Sequence, residues 1–287
     1  MRPPAMIPNM SLADRAYRIR RHALIMGEVQ GQGYIAQALG FADVLAVCYF
    51  HALRYRVDDV TWEGRDRLYL SIGHYAIALY AALIEAGVLP ESELHTYGGD
   101  ASRLPMSGMA AYTPGMEITG GSLGHGLGIA VGAALGLKRK ASDSFVYNLM
   151  SDGELGEGSS WEAAMAAHHH KLDNLICIVD FNNQQADGPS RQVMSAEPVT
   201  DKWIAFGWHV QRVDGNDLEA LTLAFDKARD HRSKQPRVII CDTKMAKGVP
   251  FLEARERNHF LRVEAQEWQQ AIKHLDDVNG SAVGSDQ

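Results

Sequence analysis

The chain of 287 residues is 46% hydrophobic and 22% charged, which suits a globular fold of one large domain or two small ones. Its formal net charge of -7 argues against nucleic acid as the main partner. Cys48, Cys177 and Cys241 each sit in an apolar run without a CxxC pair, so they read as buried thiols of a reducing, cytoplasmic compartment.

The N-terminal MRPPAMIPNM has no long apolar core, so residues 1–10 are expected to form an extended lead-in and not a secretory signal. Ser11 is placed to cap a helix whose periodicity runs from Leu12 to about Val29. A turn over Gly31–Tyr34 and a second helix over Phe41–Leu53 follow. Arg67–Ser71 predicts a short strand ending in Ile72-Gly73-His74, and Tyr75–Ala86 a helix. Pro90 to Tyr97 is helical or turn. Residues 98–121 are irregular, and a loop this long inside a compact domain is usually functional or disordered. Its end, Gly120 to Gly126, opens into a small-residue helix. Glycine at that point permits either very close packing or an anion facing the backbone N–H groups, and both readings stay open. The segment Leu123–Leu137 is too short and too Gly-rich to span a membrane.

The stretch Ser151–Gly188 organises the chain. Apolar runs at Phe145–Met150 and Leu175–Val179 read as strands on either side of a helix. In a parallel βαβ unit both strands end on the same side of the sheet, which would bring Asp152 and Asn182 together. A carboxylate and an amide oxygen converging there make a hard-oxygen site suited to Mg²⁺ carrying phosphates. Ser159 and Glu162 fit an SxxE capping box for the intervening helix, freeing Asp152-Gly153 from a capping role. The bland reading of Asp152, Asn182, Asn183 and Asp187-Gly188 is a pair of turns. The run His168-His169-His170 does not read as a metal cluster, because neighbours on a helix point about 100° apart. Further on, strands over Trp208–Val213 and Val238–Cys241 flank a helix over Asp217–His231. A basic loop over Thr243–Asn258 and a final helix over Val263–Leu275 complete the pattern, with residues 276–287 expected to be a disordered tail. The alternation predicts a doubly wound, mainly parallel α/β sheet with helices on both faces, as one domain over residues 11–275.

The wording DGELGEGSSWEAAMAA…KLDNLICIVDFN…DG resembles the transketolase family. It is most similar to the N-terminal, diphosphate-binding subunit of split, two-component transketolases, and the likeness covers residues 12–270. That resemblance implies a thiamine diphosphate-binding fold, with Mg²⁺ (or Ca²⁺ or Mn²⁺ in its place) as the metal. It implies that Asp152 and Asn182 ligate the ion through their side chains and Gln184 through its backbone carbonyl. Gly153 would let the diphosphate approach the backbone, and Gly121 and Leu123 would lie beside the cofactor's rings. His74, in LSIGHY, matches the histidine of the family's LSKGHA-like segment near the diphosphate. His259 matches the histidine that closes over the diphosphate and acts in proton transfer. Glu157 matches a glutamate that links the two cofactor-binding halves.

The sequence also departs from the family pattern. Ser151 replaces the first glycine of the motif. Tyr34 stands where a GHPG segment has histidine, and Ser107 where an SRTPGHP-like loop has histidine. An imidazole serves as acid, base or donor near neutral pH, whereas tyrosine, with an ordinary pKa of about 10, donates a hydrogen bond but is a poor base. Tyr34 and Ser107 are therefore the substrate-selecting candidates, and a specialised donor is expected. The implied reaction is transfer of a two-carbon ketol or related acyl unit to an aldehyde-type acceptor, on a cofactor that breaks the C–C bond. Cofactor activation in this family needs a glutamate from a pyrimidine-binding domain, for which too few residues follow Val263. The expected partner is a C-terminal subunit supplying that domain, in an α₂β₂ heterotetramer, without nucleic acid or membrane. The alternatives are a thiamine-dependent acyl transferase using a 2-oxo acid such as pyruvate, which would release CO₂, and a non-catalytic cofactor-binding subunit.

Overall fold

The computed structural model describes residues 10–283; residues 1–9 of the expected lead-in and 284–287 of the expected tail lie outside that span. Helix α1, Leu12–Gln30, starts at a reciprocal cap in which the Ser11 hydroxyl accepts the Asp14 N–H at 3.1 Å and the Asp14 carboxylate reaches back to Ser11. Gly31, at φ +66°, ends it in the left-handed conformation that glycine tolerates best. After the short strand β1, Gln32–Gly33, comes helix α2, Ile35–Val47. It begins at Ile35 and not at Phe41, because every residue from Ile35 to Val47 is buried and no polar face marks the period. A π-helical turn over Cys48–Ala52 continues it. The span Ile35–Ala52 is long and apolar enough to cross a membrane by composition, yet 89% of it is buried inside the fold, as a core helix would be.

Strand β2, Arg67–Leu70, leads through a turn at Gly73–Tyr75 into α3, Ala76–Glu85. Next come α4, Gly126–Arg139, and β3, Val146–Ser151. Helix α5, Gly158–His169, connects β3 to β4, Leu175–Phe181. The hairpin of β5, Gln184–Gln185, and β6, Gly188–Pro189, precedes the short helices α6, Ser190–Val193, and α7, Val199–Ala205. Strand β7, His209–Asp214, helix α8, Leu218–Asp230, and strand β8, Arg237–Asp242, form the last crossover. The chain closes with α9, Pro250–Glu253, β9, Leu261–Arg262, and α10, Ala265–Val283. The expected tail therefore needs correcting: α10 runs past Leu275 as far as Val283.

The central sheet has the order β2-β3-β4-β8-β7, and all four pairings are parallel. The doubly wound α/β fold read from the sequence is the fold observed. Alternate residues of each strand enter two separate cores, as the two-residue period of a strand requires. Tyr147, Leu149, Ile176, Ile178 and Ile239 face the core built with α1, α2, α3 and α8. Val146, Met150, Cys177, Val179 and Ile240 face the core built with α4, α5 and α7, where Trp203 and Trp208 pack. Because the strands are parallel, their C-terminal ends share one edge of the sheet, and the site forms there.

The capping box expected at Ser159 and Glu162 does not form. Helix α5 starts at Gly158 with Glu157 as its N-cap and no side-chain cap bond. Ser159 instead donates its hydroxyl to the Gly124 carbonyl at 3.0 Å, which ties α5 to the loop before α4. Asp152 does cap, through one carboxylate oxygen, the turn Gly153–Gly156.

Candidate active site at the C-terminal edge of the sheet

Ser151 of β3 pairs with Asp180 of β4, so Asp152 and Asn182 leave adjacent strands on the same side. The Asp152 N–H continues the ladder to the Asp180 carbonyl at 2.9 Å. The Asp152 side chain is buried; Oδ1 accepts the Gly153 N–H at 2.9 Å, and Oδ2 has no hydrogen-bond partner among the described residues. Burial, against the pull of the nearby Ser190 hydroxyl and with the Asp180 charge adding to it, pushes its carboxyl up to about 7. A buried carboxylate oxygen without a donor is costly, and a cation is the partner its chemistry suits.

Asn182 Nδ2 donates to Asp180 Oδ2 at 2.7 Å and to the Tyr75 hydroxyl at 2.8 Å. Its Oδ1 accepts the Gln184 N–H at 2.9 Å. The neighbouring Asn183 serves the turn itself: at φ +58°, it accepts the Arg191 N–H on its side chain and the Ser190 N–H on its carbonyl. Asn183 thus serves the turn, and Asn182 adds an Asx-type bond to the Gln184 N–H while its amide nitrogen reaches the buried Asp180 and Tyr75.

The glycines of Gly120–Gly126 are explained largely by close packing. A Cβ on Gly120 would lie 2.5 Å from the Leu70 carbonyl oxygen, one on Gly73 would lie 2.3 Å from the Gly120 carbonyl carbon, and one on Gly126 would collide with Ser71. Gly121 is exposed with φ +130°, and a Cβ there would lie 3.5 Å from Ser107 Oγ. Ser107 is exposed beside it, on a loop held to the β2 end by the Gly108 N–H to the Gly73 carbonyl at 3.0 Å. Leu123 is half-buried against the first core, and Glu157 is exposed at the head of α5.

Glu154 had no place in the sequence reading, yet it clasps this loop. It is fully buried, and its Oε1 accepts the Gly124 N–H at 2.7 Å together with the Ser71 hydroxyl, which itself accepts the Gly126 N–H at 3.0 Å. Burial raises its carboxyl to about 7, against the pull of these donors. Asp180, Tyr75, Thr243 and Gln37 also escaped the sequence reading. Asp180 and Tyr75 lie inside apolar runs, where they look like strand and helix filler.

A second group meets beside this corner. His74 precedes Tyr75, and its ring lies 4.7 Å from Tyr34 and 5.7 Å from His259, centroid to centroid. Tyr34 meets His259 edge-on at 5.6 Å and Phe260 at 5.1 Å. Gln37, in the first turn of α2, donates to the His259 carbonyl at 2.6 Å and holds that loop against the helix. Burial and the nearby His259 lower the His74 pKa to about 4, and burial lowers that of His259, so both imidazoles are neutral at pH 7. Tyr34, His259, Phe260 and Arg257 face the Gln184–Gly188 hairpin across a cleft of about 490 Å³. The predicted residues thus fall in two joined groups, with Asp152, Gly153, Asn182 and Gln184 at the strand ends and Tyr34, His74 and His259 in the aromatic cleft. Gly121, Leu123 and Ser107 lie along the adjoining loop, and Glu157 stands at the surface.

Residues 14–277 match the family model described as transketolase, thiamine diphosphate binding domain. A protein of Sinorhizobium fredii named as an uncharacterised transketolase family protein is 76% identical over 268 residues, covering 93% of this chain and 96% of that one. The 6-deoxy-6-sulfo-D-fructose transketolase subunit SqwG of a Clostridium species is 37% identical over 267 residues, covering 93% and 97%. Among solved structures, the transketolase of Leishmania mexicana superposes with a TM-score of 0.86 at 28% identity, covering 94% of this chain but only 41% of its own.

Proposed function

The chain belongs to the transketolase family and carries its thiamine diphosphate-binding domain, and from that premise we propose that it is the diphosphate-binding subunit of a two-component enzyme transferring a two-carbon ketol unit to an aldehyde-type acceptor. The observation that carries this reading is the convergence of Asp152 and Asn182 at adjacent parallel strand ends, with one Asp152 oxygen buried and unpartnered. Asp152, Asn182 and the Gln184 carbonyl would hold Mg²⁺, the hard cation whose preference for oxygen ligands they match. Gly153 leaves the backbone open beside Asp152: the nearest side-chain atom to a Cβ there would be 3.4 Å away. When bound, thiamine diphosphate supplies the carbon that accepts the ketol unit.

The chain's own residues then have separable tasks. Asp152 and Asn182 would hold the ion that neutralises the diphosphate. His74 and His259, neutral and half-buried, offer imidazole nitrogens that can take or give a proton near the donor. Tyr34 and Ser107 take the places of donor-recognising histidines, which supports a donor other than the common ketose phosphates. Arg257 and Phe260 widen that chemistry: the cleft offers a cation and an apolar ring face to the far end of a donor. The relative named for a sulfonated ketose supports a donor with an anionic tail. A relative named as a subunit also supports a partner chain, which would bring the pyrimidine-binding domain and its activating glutamate in an α₂β₂ assembly. Three buried, unpaired thiols fit a reducing cytoplasm.

The test is calorimetric titration of thiamine diphosphate, with and without Mg²⁺, into the chain assembled with its co-purifying subunit, followed by a donor screen. Mg²⁺-dependent binding with ketol transfer supports the reading. Release of CO₂ from a 2-oxo acid would favour an acyl transferase, and binding without turnover would favour a non-catalytic subunit.

A further inference from the structure

Resting on that reading of Asn182 as a metal ligand, we infer that Tyr75 is a positioning residue that fixes the Asn182 amide so its oxygen faces the ion. Tyr75 is 1% exposed, at the start of α3, packed edge-on against Phe41 and His74. Its hydroxyl donates to Asp180 Oδ2 at 2.7 Å and accepts from Asn182 Nδ2 at 2.8 Å. Asn182 Nδ2 spends its second proton on the same Asp180 oxygen at 2.7 Å. The other Asp180 oxygen accepts the Thr243 hydroxyl. Phenol, carboxylate and amide thus form a closed, buried triangle.

The triangle settles which way the amide points. Asn side chains are nearly symmetric in shape, so only partners distinguish oxygen from nitrogen. A flipped Asn182 would set its oxygen against the Asp180 carboxylate and leave the phenol oxygen without its donor, two buried penalties at once. In the observed orientation Oδ1 accepts one N–H, from Gln184, and keeps a second lone pair for a cation. Asp180 contributes charge and Tyr75 a second hold on the nitrogen: without the phenol, the amide keeps Asp180 on Nδ2 and the Gln184 N–H on Oδ1 but has more freedom to tilt between them. Outer partners of this kind hold metal ligands in place, and their loss typically costs about 10–100-fold in metal affinity. Mg²⁺ demands near-octahedral geometry with short bonds, whereas Ca²⁺ accepts variable coordination, so a loosened ligand should weaken Mg²⁺ far more than Ca²⁺. A tyrosine serving only as core filler would carry no such preference between ions.

Tyr75→Phe keeps the ring and removes the hydroxyl. On the full chain with its co-purifying subunit, Mg²⁺ and Ca²⁺ are titrated separately at saturating thiamine diphosphate and followed by calorimetry. The expected result is at least about a tenfold loss for Mg²⁺ and a clearly smaller one for Ca²⁺. Thr243→Val, which disturbs Asp180 without touching Asn182, should leave the ratio of the two affinities unchanged. Equal losses for both ions in Tyr75→Phe, or the same change of ratio in Thr243→Val, would overturn the inference. A second measurement does not depend on Tyr75→Phe: the Asn182 side-chain NH₂ signals of the wild-type protein, assigned through their contacts with the Tyr75 ring, should be protected from exchange with water. Free exchange of both protons would also overturn it. If the wild type itself shows no metal-dependent cofactor binding, the functional reading fails, while the NH₂ protection still decides whether the amide is held.

Discussion

At the Asp180–Asn182 corner, burial and paired hydrogen bonds leave the side chains one arrangement, whereas across the Tyr34–His259 cleft the side chains meet ring against ring and stay partly open to solvent. The first region lies where three parallel strands end, and its backbone is locked by the sheet ladder. The second is assembled from the α2 start and the Arg257–Phe260 loop, tied mainly by Gln37. The difference teaches that anchoring and choosing are separate problems. A cation and a diphosphate need fixed oxygen atoms, while donor choice can change with one ring on a half-exposed wall.

The largest test of this contrast is Asp152→Ala. It removes the unpartnered carboxylate oxygen, and Mg²⁺-dependent thiamine diphosphate binding should fall by about a hundredfold or more, close to 3 kcal/mol, in calorimetry. Unchanged binding would move the metal away from the strand ends altogether. Next in size is Asp180→Ala, which strips Thr243, Tyr75 and Asn182 of a shared acceptor. Stranding buried donors should lower stability in urea by about 3 kcal/mol, and a loss below about 1 kcal/mol would mean the corner is less locked than its bonds suggest.

A pH experiment separates the cleft from the corner. His74 is held neutral in the folded cofactor-free chain, its pKa lowered from 6.5 to about 4 by burial and by His259. Between those values the unfolded chain binds a proton that the folded chain refuses. Stability should therefore fall as pH drops from 6.5 towards 4, and that loss should level off below, where both states are protonated. His74 alone should account for a difference on the order of 2 kcal/mol, absent in His74→Asn when the two unfolding profiles are compared. Identical profiles would show that the His74 environment is wetter than its packing implies. The smallest effect is expected at Tyr34→His. Thiamine binding should hold, and kcat/KM for an ordinary ketose phosphate should rise by about three- to tenfold relative to the native donor. A donor profile indifferent to this change would remove Tyr34 from the selecting wall.

Much of the fold could be read from the chain. Short apolar runs marked β3, β4 and β8, because a strand covered on both faces needs a nearly unbroken apolar run, while the edge strand β7, His209–Asp214, is half-exposed and mixed in polarity. Helix α2 was misplaced at its start for the same reason: burial on every side erases the period. The Ser159–Glu162 cap failed because Ser159 found a tertiary partner, the Gly124 carbonyl, that local spacing does not reveal. In the site, Asp152 and Asn182 were legible because parallel crossover topology converts their separation along the chain into proximity across the sheet.

The sequence by itself determined the parallel sheet, its helical covering and the placing of Asp152 and Asn182 just beyond neighbouring strand ends, since all three follow from local pattern and one topological rule. Tertiary structure alone decided that Tyr75 and Asp180 are polar partners and not filler, that Glu154 clasps the loop before α4, and that Tyr34 lies against His259. Those relations join residues far apart in the chain, and their hydrogen bonds and ring contacts exist only once packing has removed water from between them.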